Sequence, residues 1–170
     1  ENRRIVQAAT QAQWHFLQQV HGIDVVRVDS QVSNQTVGDA AYTQVAGQAC
    51  TMMVADCLPV LITHTQQKIV GAAHAGWRGL AQGVVMRLLE QMQAATGQQD
   101  GWLVWLGPCI GSLAFEVGAE VRQAFIEQMP QAHTMFTPAP SSGKWLCNLA
   151  GLARLQLAQT GVDAVYGNDG

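Results

Sequence analysis

A chain of 170 residues with 48% hydrophobic and 12% charged side chains can bury a sizeable core, which excludes a disordered polymer. Its nine lysines and arginines are scattered and the formal net charge is -3, so neither a nucleic acid nor an anionic membrane is an expected partner. No apolar run is long enough to cross a bilayer, and the four cysteines, Cys50, Cys57, Cys109 and Cys147, form no CxxC pair, which suits reduced thiols in a cytoplasmic protein.

In chain order, residues 2–9 read as a helix. "WHFLQQVHG" and "DVVRVD" read as extended segments with a bend at His21–Gly22. "VSNQTVGDAAYTQVAG" is polar and punctuated by glycine, so it is expected to be mostly loop. "CTMMVADC" and "LPVLITH" read as two short buried strands parted near Asp56–Pro59, because proline lacks the N–H of a ladder interior. "QKIVGAAHAG" is the next strand. From Gly79 to Ala95, Leu80, Val84, Leu88 and Met92 recur at helical spacing, with Gly97 as the stop. "GWLVWLG" is a strand ended by "PCIG", and "GAEVRQAFIEQM" is an amphipathic helix. "TPAPSSG" is a surface loop. Asn148 caps a helix running to about Gln159, Gly161 closes it, and "VDAVYG" returns to strand. Strands cluster early and alternate with helices later, which predicts a mixed α/β (α+β) layered domain rather than a doubly wound sheet. One domain spanning 1–170 is expected, without the start and tail of a longer protein.

The chemistry gathers where apolar runs end. The strand that reaches His74 is followed by "AGWRG" and then a helical pattern. Unpaired N–H groups and the positive end of a helix dipole suit an anion there, and Arg78 adds a forked donor. The alternative is a structural arginine beside a packing tryptophan, and the residues alone leave both open. His21 in "QVHG" and Cys57 in "ADC" lie at similar ends. Two imidazoles and a thiolate suit zinc with a fourth position open, although the spacing matches no short ligand motif. Taken singly, each is more simply a hydrogen-bonded histidine or an inert cysteine. Cys109 in "GPCIG" is a nucleophile or a space-filling thiol, with packing favoured, and Glu116 is an acid, a base or a helix-start charge. Asp56 is either a carboxylate orienting a ligand or a turn residue. Trp77, Trp102, Trp105 and Trp145 stack on a planar base or pack the core.

"QVHG", "GDAAYT", "TMMVADCLPVLI", "AHAGWRG" and "GPCIGSLAFEVG" occur in this order, and together they resemble the YfiH family, also called the multicopper polyphenol oxidase (laccase) family. The resemblance covers the chain from about Asn2 onward. It implies a layered α/β/β/α fold with mixed sheets, a cytoplasmic location, and metal ligands at His21, Cys57 and His74. Two positions depart from the family's habit: His64 and Asn148 stand where the family commonly has aspartate.

The activity implied is a zinc-dependent purine nucleoside phosphorylase acting on adenosine, inosine and methylthioadenosine with phosphate, with adenosine deaminase activity. His21, Cys57, His74 and Arg78 are then the candidate catalytic residues. Arg78, Glu116 and Cys109 are the candidate substrate contacts. The alternatives are a copper-dependent polyphenol oxidase, since two histidines and a cysteine also suit Cu²⁺, and an amidase editing peptidoglycan precursors.

Overall fold

The computed structural model describes residues 2–29, 32–33, 35–162 and 164–168. Asn34 and Asp163, which fall in an expected loop and an expected strand, lie outside the described residues.

Helix α1 (Asn2–Thr10) precedes β1 (Gln13–Phe16), β2 (Val25–Arg27), β3 (Ala40–Thr43), β4 (Gln48–Thr51), β5 (Leu58–His64) and β6 (Val70–Ala75). Two helices follow, α2 (Trp77–Ala81) and α3 (Val84–Thr96), then β7 (Trp102–Leu106), β8 (Glu116–Val117) and α4 (Ala119–Ile126). A 3₁₀ turn (Pro130–Met135), β9 (Phe136–Pro138), β10 (Trp145–Cys147), α5 (Leu149–Ala158) and β11 (Val165–Tyr166) complete the order.

The main sheet has six strands in the order β11-β7-β5-β6-β3-β2. The β11–β7 and β3–β2 pairs are parallel and the three central pairings antiparallel, so the sheet is mixed. β8, β10 and β9 form a small antiparallel sheet, and β1 pairs with β4 in parallel. This is the mixed α/β class that the element pattern predicts.

Alternation along the central strands decides where the core lies. Val60 and Ile62 of β5 and Val104 and Leu106 of β7 are buried, and they pack in one cluster with Leu80, Leu88 and Met92 of the α2–α3 segment and Leu152 and Leu157 of α5. Truncating one such leucine to alanine costs about 2–5 kcal/mol in comparable cores. The other face is also apolar yet open. Leu61, Val70, Trp105 and Tyr166 are 45%, 46%, 44% and 59% exposed along a cleft of about 730 Å³. No helix among the described residues is long and apolar enough to cross a membrane.

Four local expectations need correction. The helix expected from Gly79 to Ala95 is two helices, because Gly83 takes φ +90° and breaks the ladder between them. The stretch expected to be loop contains β3, a fully buried strand of the main sheet. Its Ala-Ala-Tyr-Thr core is short, and the flanking polar residues hide it. "CTMMVADC" is strand only as far as Thr51. Beyond it, the Gln19 side chain bonds both the N–H and the carbonyl of Met53, taking the place of a strand neighbour. "TPAPSSG" begins inside β9 and closes a hairpin, with Ala139 N–H donating to the Lys144 carbonyl.

Candidate metal centre

Strand register gathers the site. β5 runs antiparallel to β6 with Leu58 opposite Ala75 and Pro59 opposite His74, which brings Cys57, just before β5, to the end of β6. β3 lies on the other side of β6 with Ala40 opposite Ala73, so Asp39 arrives beside His74. The His74 N–H donates to the Asp39 carbonyl at 2.7 Å, and its ring Nδ1 meets Asp39 Oδ1 at 2.9 Å. The bend after β1 then places His21 over the same point. The His21 and His74 rings are 4.7 Å apart, edge to face.

One donor atom from each of His21, Cys57 and His74 lies within 4.8 Å of the others. Cys57 Sγ is 3.8 Å from His21 Nε2. A tetrahedral zinc with bonds of about 2.0 Å to nitrogen and 2.3 Å to sulfur sets nitrogen and sulfur roughly 3.5 Å apart, so small side-chain shifts bring this donor set onto the ion. With Nδ1 of His74 turned to Asp39, Nε2 is the nitrogen left for a metal. His74 is buried, Cys57 half-buried and His21 exposed, so the cluster opens on the His21 side. Gly76 closes another side: a Cβ there would sit 2.7 Å from His21 Cδ2 and 3.0 Å from Cys57 Sγ.

Burial alone would raise the Asp39 carboxyl. The hydrogen bond from His74 and those from the backbone of Val20, Gly22 and His21 outweigh it, and its pKa is lowered. The Cys57 thiol is pushed up by burial first, then by the charges of Asp56, Asp39 and Cys109. A metal arriving at Cys57 must therefore displace a proton at neutral pH. Zinc affinity is expected to rise with pH, about tenfold per unit while the thiol remains protonated. Competition with a zinc chelator at several pH values reads this directly, and a flat profile would exclude Cys57 as a thiolate ligand. Cys50 and Cys147 are pushed up to about 12 by burial and stay as inert thiols.

The remaining candidates are not among the three clustered donors. Arg78 is exposed and stacks on Trp77, with its guanidinium carbon 4.5 Å from the ring centroid. The helix behind it, α2, has only five residues, so the strong dipole expected of a long helix is absent from this corner. Glu116 is exposed and accepts a hydrogen bond from Ser141 Oγ at 2.9 Å. Cys109 borders a cleft of about 740 Å³ with Asn148, Arg154 and Asn168, and Asn168 Nδ2 donates to its sulfur at 3.2 Å. Its turn abuts the segment before Cys57, since Ile110 N–H donates to the Asp56 carbonyl at 2.9 Å. Asp56 affects Cys57 through its charge, whereas the carboxylate bonded to a histidine of the cluster is Asp39. The signal for Asp39 was a lone acid entering the small apolar run "AAY". His15 and His64 are buried and engage Gln48 and the Asp100 carbonyl, and His133 meets the Pro130 carbonyl.

A family model described as multi-copper polyphenol oxidoreductase laccase matches residues 1–169. The chain is 42% identical to a purine nucleoside phosphorylase of Pseudomonas aeruginosa, over 98% of this chain and 67% of that one. It is also 42% identical to the purine nucleoside phosphorylase YfiH of Escherichia coli K12, over 91% of this chain and 61% of the relative. Among solved structures, a Neisseria meningitidis protein superposes with a TM-score of 0.90 at 41% identity, covering 98% of this chain and 67% of that chain. A Bacillus licheniformis YfiH superposes with a TM-score of 0.85 at 24% identity, covering 98% and 68%, a likeness of fold alone. The chain thus spans 61% and 67% of the length of the two named enzymes.

Proposed function

This chain belongs to the multi-copper polyphenol oxidoreductase laccase family, the family of YfiH, and from that footing we propose that it is a zinc-dependent purine nucleoside phosphorylase with adenosine deaminase activity. The observation that carries the proposal is the cluster of His21, Cys57 and His74, open on one side and fixed by Asp39 on the other. The names of the relatives supply the substrate class: purine nucleosides and phosphate.

When bound at these three donors, zinc supplies Lewis acidity and lowers the pKa of a coordinated water. The chain's own residues do the rest. Asp39 holds the His74 ring so that Nε2 faces the cluster. Arg78, exposed two residues beyond Gly76, offers phosphate a bidentate fork. The cleft of about 740 Å³ that Cys109 borders would take the nucleoside. Glu116, outside that lining, would exchange its Ser141 partner for a ribose hydroxyl. In phosphorolysis a phosphate oxygen bonds to C1′ while the C1′–N9 bond breaks. The purine leaves with the electron pair and takes up a proton, giving adenine and ribose 1-phosphate. In deamination, adenosine and water give inosine and ammonia.

Protein reconstituted with zinc alone and given adenosine is expected to form adenine and ribose 1-phosphate only when phosphate is present. Inosine is expected with or without it. No product from folded, zinc-loaded protein would overturn the proposal. Arg78→Ala is expected to raise the phosphate needed for half-maximal phosphorolysis by about tenfold, the worth of one charge-assisted contact, and to spare inosine formation. An equal fall in both activities would return Arg78 to a structural role.

A second reading, copper-dependent oxidation of phenols, is favoured by the description of the family and by a donor set that also suits Cu²⁺. His15, His64 and His133 each make their contacts away from the cluster, so the chemistry would rest on these same three ligands.

A further inference from the structure

Asp39 is wholly buried, and a carboxylate there needs full compensation. Four donors provide it. Oδ1 receives His74 Nδ1–H and the His21 N–H, both at 2.9 Å. Oδ2 receives the N–H groups of Val20 at 3.0 Å and Gly22 at 2.8 Å. Three consecutive N–H groups converging on one anion form a nest, a loop geometry that requires left-handed backbone. His21 supplies it, at φ +60°, an uncommon conformation for any residue other than glycine. The aim of the carboxylate is itself fixed, because the N–H groups of Asp39 and Ala40 both donate to the Asp24 carbonyl.

We propose that Asp39 is the positioning residue that builds the metal centre before the metal arrives. One carboxylate sets the backbone of one histidine ligand and the ring tautomer of the other. The inference rests on the reading of His21, Cys57 and His74 as metal ligands. Asparagine cannot replace it: whichever way the amide turns, its NH₂ faces N–H donors, and the charge that balances the nest is gone.

Zinc affinity by chelator competition, and the visible spectrum of cobalt-loaded protein, read the ligand geometry. Asp39→Asn is expected to weaken zinc binding about 10–100-fold and to shift the cobalt bands. Phe125→Leu, a destabilised core variant on α4, is expected to keep both. Zinc affinity in Asp39→Asn within about twofold of wild type, or an equal loss in the two variants, would overturn the proposal. A measurement on the unaltered, metal-free protein covers the case in which Asp39→Asn does not fold. Nitrogen–proton correlation spectra are expected to show His74 as the Nδ1–H tautomer with a slowly exchanging ring proton. An Nε2–H tautomer would overturn it. This second test needs no zinc, so its failure is distinct from failure of the metal to bind.

Discussion

Cys57→Ser is expected to leave the fold standing and to remove zinc and turnover together. A serine hydroxyl stays protonated at neutral pH and is a poor soft donor, so the site loses its thiolate and keeps two imidazoles. The expected loss of zinc affinity is at least about a hundredfold. The fold has little stake in this sulfur. Cys57 is half-buried, precedes β5, and meets His21 Nε2 at 3.8 Å. Stability without metal should shift by less than about 1 kcal/mol. Metal content per chain after gel filtration, read beside a thermal melt, separates the two effects. Stoichiometric zinc with full turnover in the serine variant would remove Cys57 from the centre.

Gly76→Ala is expected to impair the centre without altering any ligand. The backbone at Gly76 is extended, at φ -66° and ψ 161°, which alanine adopts freely. The unliganded chain therefore gains the usual benefit of a less flexible unfolded state, about 0.4–1 kcal/mol, less any cost of the new contacts. Those contacts are the point: the added methyl would stand 2.7 Å from His21 Cδ2 and 3.0 Å from Cys57 Sγ. The two ligands must part to admit it, and metal geometry tolerates about half an ångström. Zinc affinity is expected to fall by about tenfold or more, while the melting temperature of the metal-free protein holds or rises. Wild-type affinity would mean that the ligands move freely and that the centre is less pre-formed than the geometry indicates.

Signals confined to one stretch of chain were legible. Asn148 accepts from Gly151 N–H at 2.8 Å as a helix cap, and Gly97 closes α3 with φ +72°. The apolar runs ending at Cys57 and His74 marked two strand ends that the register then places together. What could not be read locally depends on pairing. β3 is four residues long inside a polar stretch, and only its neighbours β6 and β2 make it a strand. Asp39 at its entrance gave no sign of reaching His74 thirty-five positions away, because that contact exists only through the β3–β6 register. The break at Gly83 was hidden for the opposite reason. Leu80, Val84, Leu88 and Met92 keep helical spacing across it, and the pattern continues although the helix does not. The helix that follows His74 therefore has five residues, Trp77–Ala81, instead of one long run.

His21, Cys57 and His74 are expected to hold one metal ion with one position open. Zinc-edge X-ray absorption on the reconstituted protein tests it most directly. One zinc per chain is expected, with a single sulfur at about 2.3 Å and three nitrogen or oxygen neighbours at about 2.0–2.1 Å, two of them imidazole. Soaking with phosphate or a nucleoside should change the non-imidazole neighbour. A second sulfur, or four protein ligands unaffected by either compound, would describe a closed structural site and rule out the open centre.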